Sequence, residues 1–107
     1  MGIIENLESL LAQGRDDALL RYSLANEYFK DGRFGLAVEH LQRAVEHDST
    51  YSAAWKLYGK ALVELGDLQR AIHVFDTGIA AAEERGDIQA AKEMKVFRKR
   101  ARKGLDG

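Results

Sequence analysis

The sequence contains no cysteine and no proline. Without cysteine there is no disulfide, no thiolate nucleophile and no Cys-ligated zinc. Without proline, nothing forces a break inside a long helix. No apolar run approaches the ~18 residues of a membrane span. The opening stretch MGIIENLESLL lacks the basic region of a secretory leader. A myristoylation signal on Gly2 would want Ser or Thr at position 6, where Asn6 stands. Alternating apolar and polar residues, the mark of a half-buried strand, do not occur over any length. These absences lead us to expect a helical, cytoplasmic protein.

What is present suits one folded unit. The 107 residues are 46% hydrophobic and 31% charged, ordinary proportions for a globular domain spanning residues 1–107. The formal net charge of −1 gives the whole chain no nucleic-acid character. The charge is unevenly spread, however. Residues 1–50 carry 9 acids and 5 bases, residues 51–86 carry 5 and 4, and residues 87–103 carry 2 and 7. A basic end therefore follows a mildly acidic body.

Apolar residues recur at helical spacing in six segments. The spacing predicts helices over about 3–13, 17–30, 34–47, 51–65, 68–84 and 87–103. The first would bury Ile3, Leu7, Leu10 and Leu11. Asp16 or Asp17 is placed to cap the second, and Asp48, Ser49 or Thr50 to cap the fourth. Gly32 suits a left-handed C-cap after the second, and the pair Gly66–Asp67 closes one helix and opens the next.

The chain matches itself when slid by 34 residues. Ala25 then falls on Gly59, Tyr28 on Leu62, Gly32 on Gly66, Ala37 on Ala71 and Leu41 on Phe75. Small residues fall on small ones and large apolar residues on large apolar ones. The pattern resembles the tetratricopeptide repeat (TPR), whose signature is Trp-Leu-Gly-Tyr on a first helix and Ala-Phe on a second. One copy has Trp55, Tyr58, Gly59, Leu62, Ala71 and Phe75; the other has Arg21 in the Trp position, then Leu24, Ala25, Tyr28, Ala37 and Leu41. Glu83 stands where the family has Pro.

The resemblance implies an all-α, right-handed α-solenoid of antiparallel helix pairs. Two TPR motifs, 18–50 and 51–85, would be flanked by a capping helix at 3–13 and a solvating helix at 87–103. Gly59 would then sit where two helices cross, opposite Ala71, as Ala25 would sit opposite Ala37. The last helix has two registers open to it. The strict period puts Glu93 where Gly59 sits, a poor fit, whereas GDIQAA at 86–91 echoes GDLQRA at 66–71, the entry of a second helix. Its apolar stripe is Ile88, Ala91, Met94, Phe97, Ala101 and Leu105.

Intrinsic chemistry is sparsely represented. His40 and His47 are seven residues apart, about 10 Å along a helix, too far to share an ion. His40, His47 and His73 read as exposed helix residues. The serines lack a nucleophile-elbow context, and the glycines lack phosphate-loop spacing. No enzyme, metal or cofactor is expected.

The resemblance instead implies peptide binding on the concave face of the first helix of each pair. That register presents Leu19, Tyr22, Asn26, Phe29 and Lys30, then Ala53, Lys56, Lys60, Val63 and Glu64. Lys56 and Lys60 lie one turn apart. Aromatic rings beside two cations suit a peptide with acidic and apolar side chains. A chaperone-tail carboxylate clamp is disfavoured, because only Asn26 of its five positions matches. The basic end offers Lys95, Arg98, Lys99 and Arg102. It reads as a capping helix with a charged outer face, or as a contact for an acidic partner, a membrane surface or RNA; the lack of stacking aromatics argues against nucleic acid. Two repeats make a short array, so the expected state is a monomer or a weak homodimer, with homo-oligomerisation as the structural alternative.

Overall fold

The computed structural model describes residues 2–107. Among the described residues there are six α-helices and no strand. They are α1 (Ile3–Ala12), α2 (Ala18–Lys30), α3 (Phe34–His47), α4 (Ser52–Glu64), α5 (Leu68–Arg85) and α6 (Ile88–Asp106).

Local chemistry sets most of the boundaries. The Asp17 carboxylate accepts from the Leu20 amide at 2.7 Å, and Asp67 and Asp87 cap α5 and α6 in the same way. Each of these caps satisfies one of the unpaired amides at a helix start. At the other ends, Gly32 and Gly66 adopt φ of 75° and 81°. An L side chain is strained there, so glycine is the residue that lets the chain turn back. The amide of the following residue then reaches back to the helix: Arg33 N to Tyr28 O at 2.9 Å, and Asp67 N to Leu62 O at 3.0 Å. This double closure is the Schellman arrangement.

The start of α4 departs from the sequence expectation. Its N-terminus has no side-chain cap. Asp48 instead accepts from the backbone and hydroxyl of Thr50 within the loop.

The helices pack in order. α2 pairs with α3 and α4 with α5, α3 rests on α4, and α1 lies on α2. α6 packs on α5 and on α4, as α4 packs on α3 and on α2. It thus occupies the place of the first helix of a further pair. The molecule measures 43 × 30 × 18 Å; its thinnest dimension is about two helix diameters of ~10 Å.

Leu24, Ala25, Ala37, Leu41, Ala71 and Phe75 are fully buried, and Tyr28, Tyr58 and Leu62 nearly so. On α1 the inward face is Ile4, Leu7, Leu10 and Leu11. Ile3, expected inside, is 59% exposed.

Gly59 is explained by a neighbour other than the one expected. A methyl group on it would overlap the ring of Phe75 on α5, not Ala71. The glycine makes room for an aromatic ring within its own helix pair. Gly78 marks a second close approach further along α5, where an added Cβ would lie 2.6 Å from Trp55 Cβ on α4 and 2.7 Å from Met94 Sδ on α6.

Candidate peptide-binding groove

The residues expected on the concave face meet in part. Tyr22 packs against Tyr51, with ring centroids 5.1 Å apart. Phe29 stands edge-on to Phe34 at 5.1 Å. Lys60 reaches over the Phe29 ring at 5.6 Å and over Phe97 of α6 at 5.4 Å. One ammonium thus bridges aromatic rings from α2 and α6, a contact favourable to both faces. Asn26 and Val63 are half-buried beside this line, and Lys30 is exposed and paired with Glu27 at 3.3 Å.

Lys56 and Lys60 do not form a matched pair of free cations. The Lys56 ammonium donates to Glu93 of α6 at 3.1 Å. Lys60 makes no ion pair among the described residues, and its surroundings are aromatic. Glu93, which fits poorly as a counterpart of Gly59, is therefore a partner for Lys56.

α6 adds residues that the sequence reading did not assign to the groove. Phe97 stacks on Phe75 with centroids 6.0 Å apart. Arg100 lies over the Phe97 ring at 5.8 Å. The available signal was Phe97 on the apolar stripe of the last helix. Without a register for that helix, the stripe could not be set against α4.

The basic residues of α6 divide. Arg98 pairs with Asp76 of α5 at 2.6 Å, and Arg102 approaches the same carboxylate at 3.9 Å. Lys95 pairs with Glu83 at 3.1 Å. These three tie α6 to α5. Lys99 points away without an ion pair among the described residues.

A polar hub joins the first three helices. Arg21 stands at the position Trp55 holds one repeat later. Its guanidinium makes a two-pronged contact with Asp16 at 2.8 and 2.9 Å and reaches His40 Nδ1 at 3.1 Å. His47 Nε2 lies 2.9 Å from the same Asp16. The hydrogen bonds from Arg21 and then His47 hold the Asp16 carboxyl well below the usual carboxylate range.

His40, read from the sequence as exposed, is 8% exposed and stacks on Tyr28 at 5.6 Å. Because Arg21 can only donate, Nδ1 is the acceptor, which leaves the proton on Nε2. That nitrogen faces Glu8 of α1 at 3.4 Å. Burial pushes the imidazole pKa down. The signal for this was in the sequence: His40 is three residues after Ala37 and four before Ala44, so it shares their buried face. Among the described residues, no group of three His, Cys, Asp or Glu side chains is placed to hold a metal ion.

Helix pairs stacked in one direction, with small residues at the crossings and a lined face on the first helix of each pair, define a helical-repeat solenoid. The chain belongs to the tetratricopeptide repeat family, whose model matches residues 28–94. A TPR repeat-containing protein of Pseudomonas aeruginosa is 52% identical over 95 residues, covering 89% of this chain and 90% of its own. The solution structure of a Bordetella parapertussis protein is 43% identical, with a TM-score of 0.84 over 97% of this chain and 90% of that one. The TPR2B domain of yeast Sti1, solved as a complex with pHsp70, shares the fold at 17% identity, with a TM-score of 0.87 over 94% of this chain and 81% of its own. No helix is long and apolar enough to cross a membrane among the described residues.

Proposed function

We propose that this chain is a non-catalytic protein-binding module that holds a peptide or partner segment on the face formed by α2, α4 and α6. Proteins of this family are commonly interaction modules and generally scaffolds without catalysis. One observation carries the reading most directly. The Phe29, Lys60 and Phe97 side chains, from three successive first-position helices, form a continuous aromatic–cation line. Tyr22, Asn26, Lys30 and Val63 extend it. Aromatic rings with a cation, held at low conformational cost, are the residue types that anchor protein partners. The basic helix is the weaker candidate surface, since Lys95, Arg98 and Arg102 are engaged with α5. The module would act as an adaptor or assembly factor in the cytoplasm.

The test compares capture from a lysate of the source cells by wild type, Lys60→Glu and the opposite-face control Gln42→Lys. All three are first checked for helicity by circular dichroism. A partner kept by wild type and by Gln42→Lys but lost by Lys60→Glu is the expected result. Equal retention by all three would remove this face from the binding surface.

A further inference from the structure

A cavity of about 400 Å³ opens between α4, α5 and α6. Its walls are Val63, Leu68, Phe75, Phe97, Ala101 and Gly104. Its rim carries Lys60 and Arg100, with Glu64 as the one carboxylate. The volume lies within the range of ligand pockets, and an apolar body with a few charged groups at the mouth is their usual composition. Gly104 belongs to this architecture. A Cβ there would lie 2.8 Å from Leu68 Cδ1, so a side chain would displace the pocket wall.

Resting on the groove reading above, we propose that this pocket is an anchor site for an acidic protein segment bearing one large apolar side chain. The apolar side chain fills the cavity, and a neighbouring Asp or Glu meets Lys60 and Arg100. Charge complementarity selects this occupant. Both rim cations lie against the Phe97 ring and neither makes an ion pair among the described residues. A positive rim around an apolar hole repels a basic segment and gives a purely acidic one nothing to bury. Nucleic acid fits less well. Phe75 has no exposed surface, and the half-buried Phe97 ring already has Phe75 and the two cations against it, which leaves little face for a base to stack on.

The test titrates the full chain, isotope-labelled for NMR, with acetylated and amidated octapeptides. One has a central leucine flanked by Asp and Glu; the controls replace that leucine with serine, or the acids with lysines. The acidic leucine peptide should bind, with amide shifts centred on Val63, Leu68, Ala101 and Gly104. Each control, and Lys60→Gln or Arg100→Gln in the protein, should weaken binding about tenfold, the equivalent of ~1.4 kcal/mol. Four outcomes overturn the proposal: no binding at millimolar peptide, equal affinity for the leucine and serine peptides, indifference to both variants, or shifts confined to Lys92, Lys99 and Lys103. If one of these occurs while the captured partner still depends on Lys60, the groove reading stands and the pocket chemistry alone falls.

Discussion

Two glycines in helix interiors show how packing overrides propensity. Replacing either by alanine should gain about 1 kcal/mol of helix propensity. At Gly59 the added methyl meets the buried Phe75 ring. Overpacking of this kind typically costs ~1–3 kcal/mol, so Gly59→Ala should destabilise by about 1 kcal/mol net. At Gly78 the obstruction is Trp55 Cβ at 2.6 Å, an atom fixed to the α4 backbone. A ring can tilt, but a Cβ moves only with its helix. Gly78→Ala should therefore cost more, about 2 kcal/mol net. Urea midpoints of the two variants decide this, and the reverse order would show that the Phe75 ring is more rigidly held than the α4–α5 spacing. His40 gives a second residue-scale prediction. Its imidazole is buried neutral, faced by Glu8 from α1, by Arg21, Asp16 and Tyr28 from the α2 side, and by Glu39 on its own helix. Its folded pKa lies below the ordinary 6.5, so the unfolded chain binds the proton first as pH falls. The stability it contributes is complete above 6.5 and is lost on the way down to the folded value. His40→Gln should flatten that part of the urea-midpoint curve between pH 7 and 5. An unchanged slope would assign the pH dependence to other groups.

The helices themselves were legible because their signals are local. Phe34–His47 matches its expected span, and Asp17 and Gly32 act at the ends where their chemistry suits them. The register of α6 was not legible, for a geometric reason. α5 has 18 residues where α3 has 14, and the following turn is shorter, so α6 starts two residues later than a 34-residue period would place it. Four of the nine residues lining the pocket therefore lay on a helix to which the repeat alignment gave no register. Phe29, Lys60 and Val63 were assigned to the groove from sequence, but Phe97 and Arg100 were not. Elements also differ in how firmly they are held. α1 buries no residue completely, and Ile4, Leu7, Leu10 and Leu11 are only half covered. α3 and α5 each bury six. Local opening should follow this order, since regions with few buried contacts open at the least free energy. Amide hydrogen exchange should release α1 first, at least tenfold faster than the centres of α3 and α5. Equal protection of α1 would mean that the Glu8–His40 contact holds that helix more tightly than its apolar face suggests.

At the scale of the molecule, each unit of a solenoid carries a face on which a further helix or another copy can pack. α6 turns Ala90, Ala91, Met94 and Ala101 towards α4 and α5. Its opposite side presents Lys92, Val96, Lys99 and Lys103, all exposed. That side is where a next helix would pack. A helix added there would have to strip water from three ammonium groups, a cost that burying Val96 alone does not offset. Lysines on this side thus oppose the packing of another copy there, much as charged residues on an edge strand discourage a sheet from growing. The same side chains shift charge towards the end of the chain that follows the acidic first half. The combined variant Lys92→Leu/Lys99→Leu/Lys103→Leu tests this directly. None of the three touches the buried face of α6, so the fold should survive with its helicity intact. Exposed leucines beside Val96 would make a continuous apolar strip on the side where a next helix would pack. Sedimentation should then show concentration-dependent association, absent or weaker in wild type at the same concentration. If the variant sediments as wild type does, the lysines are not what keeps copies apart on this face, and the shape of α6 rather than its charge would set that behaviour.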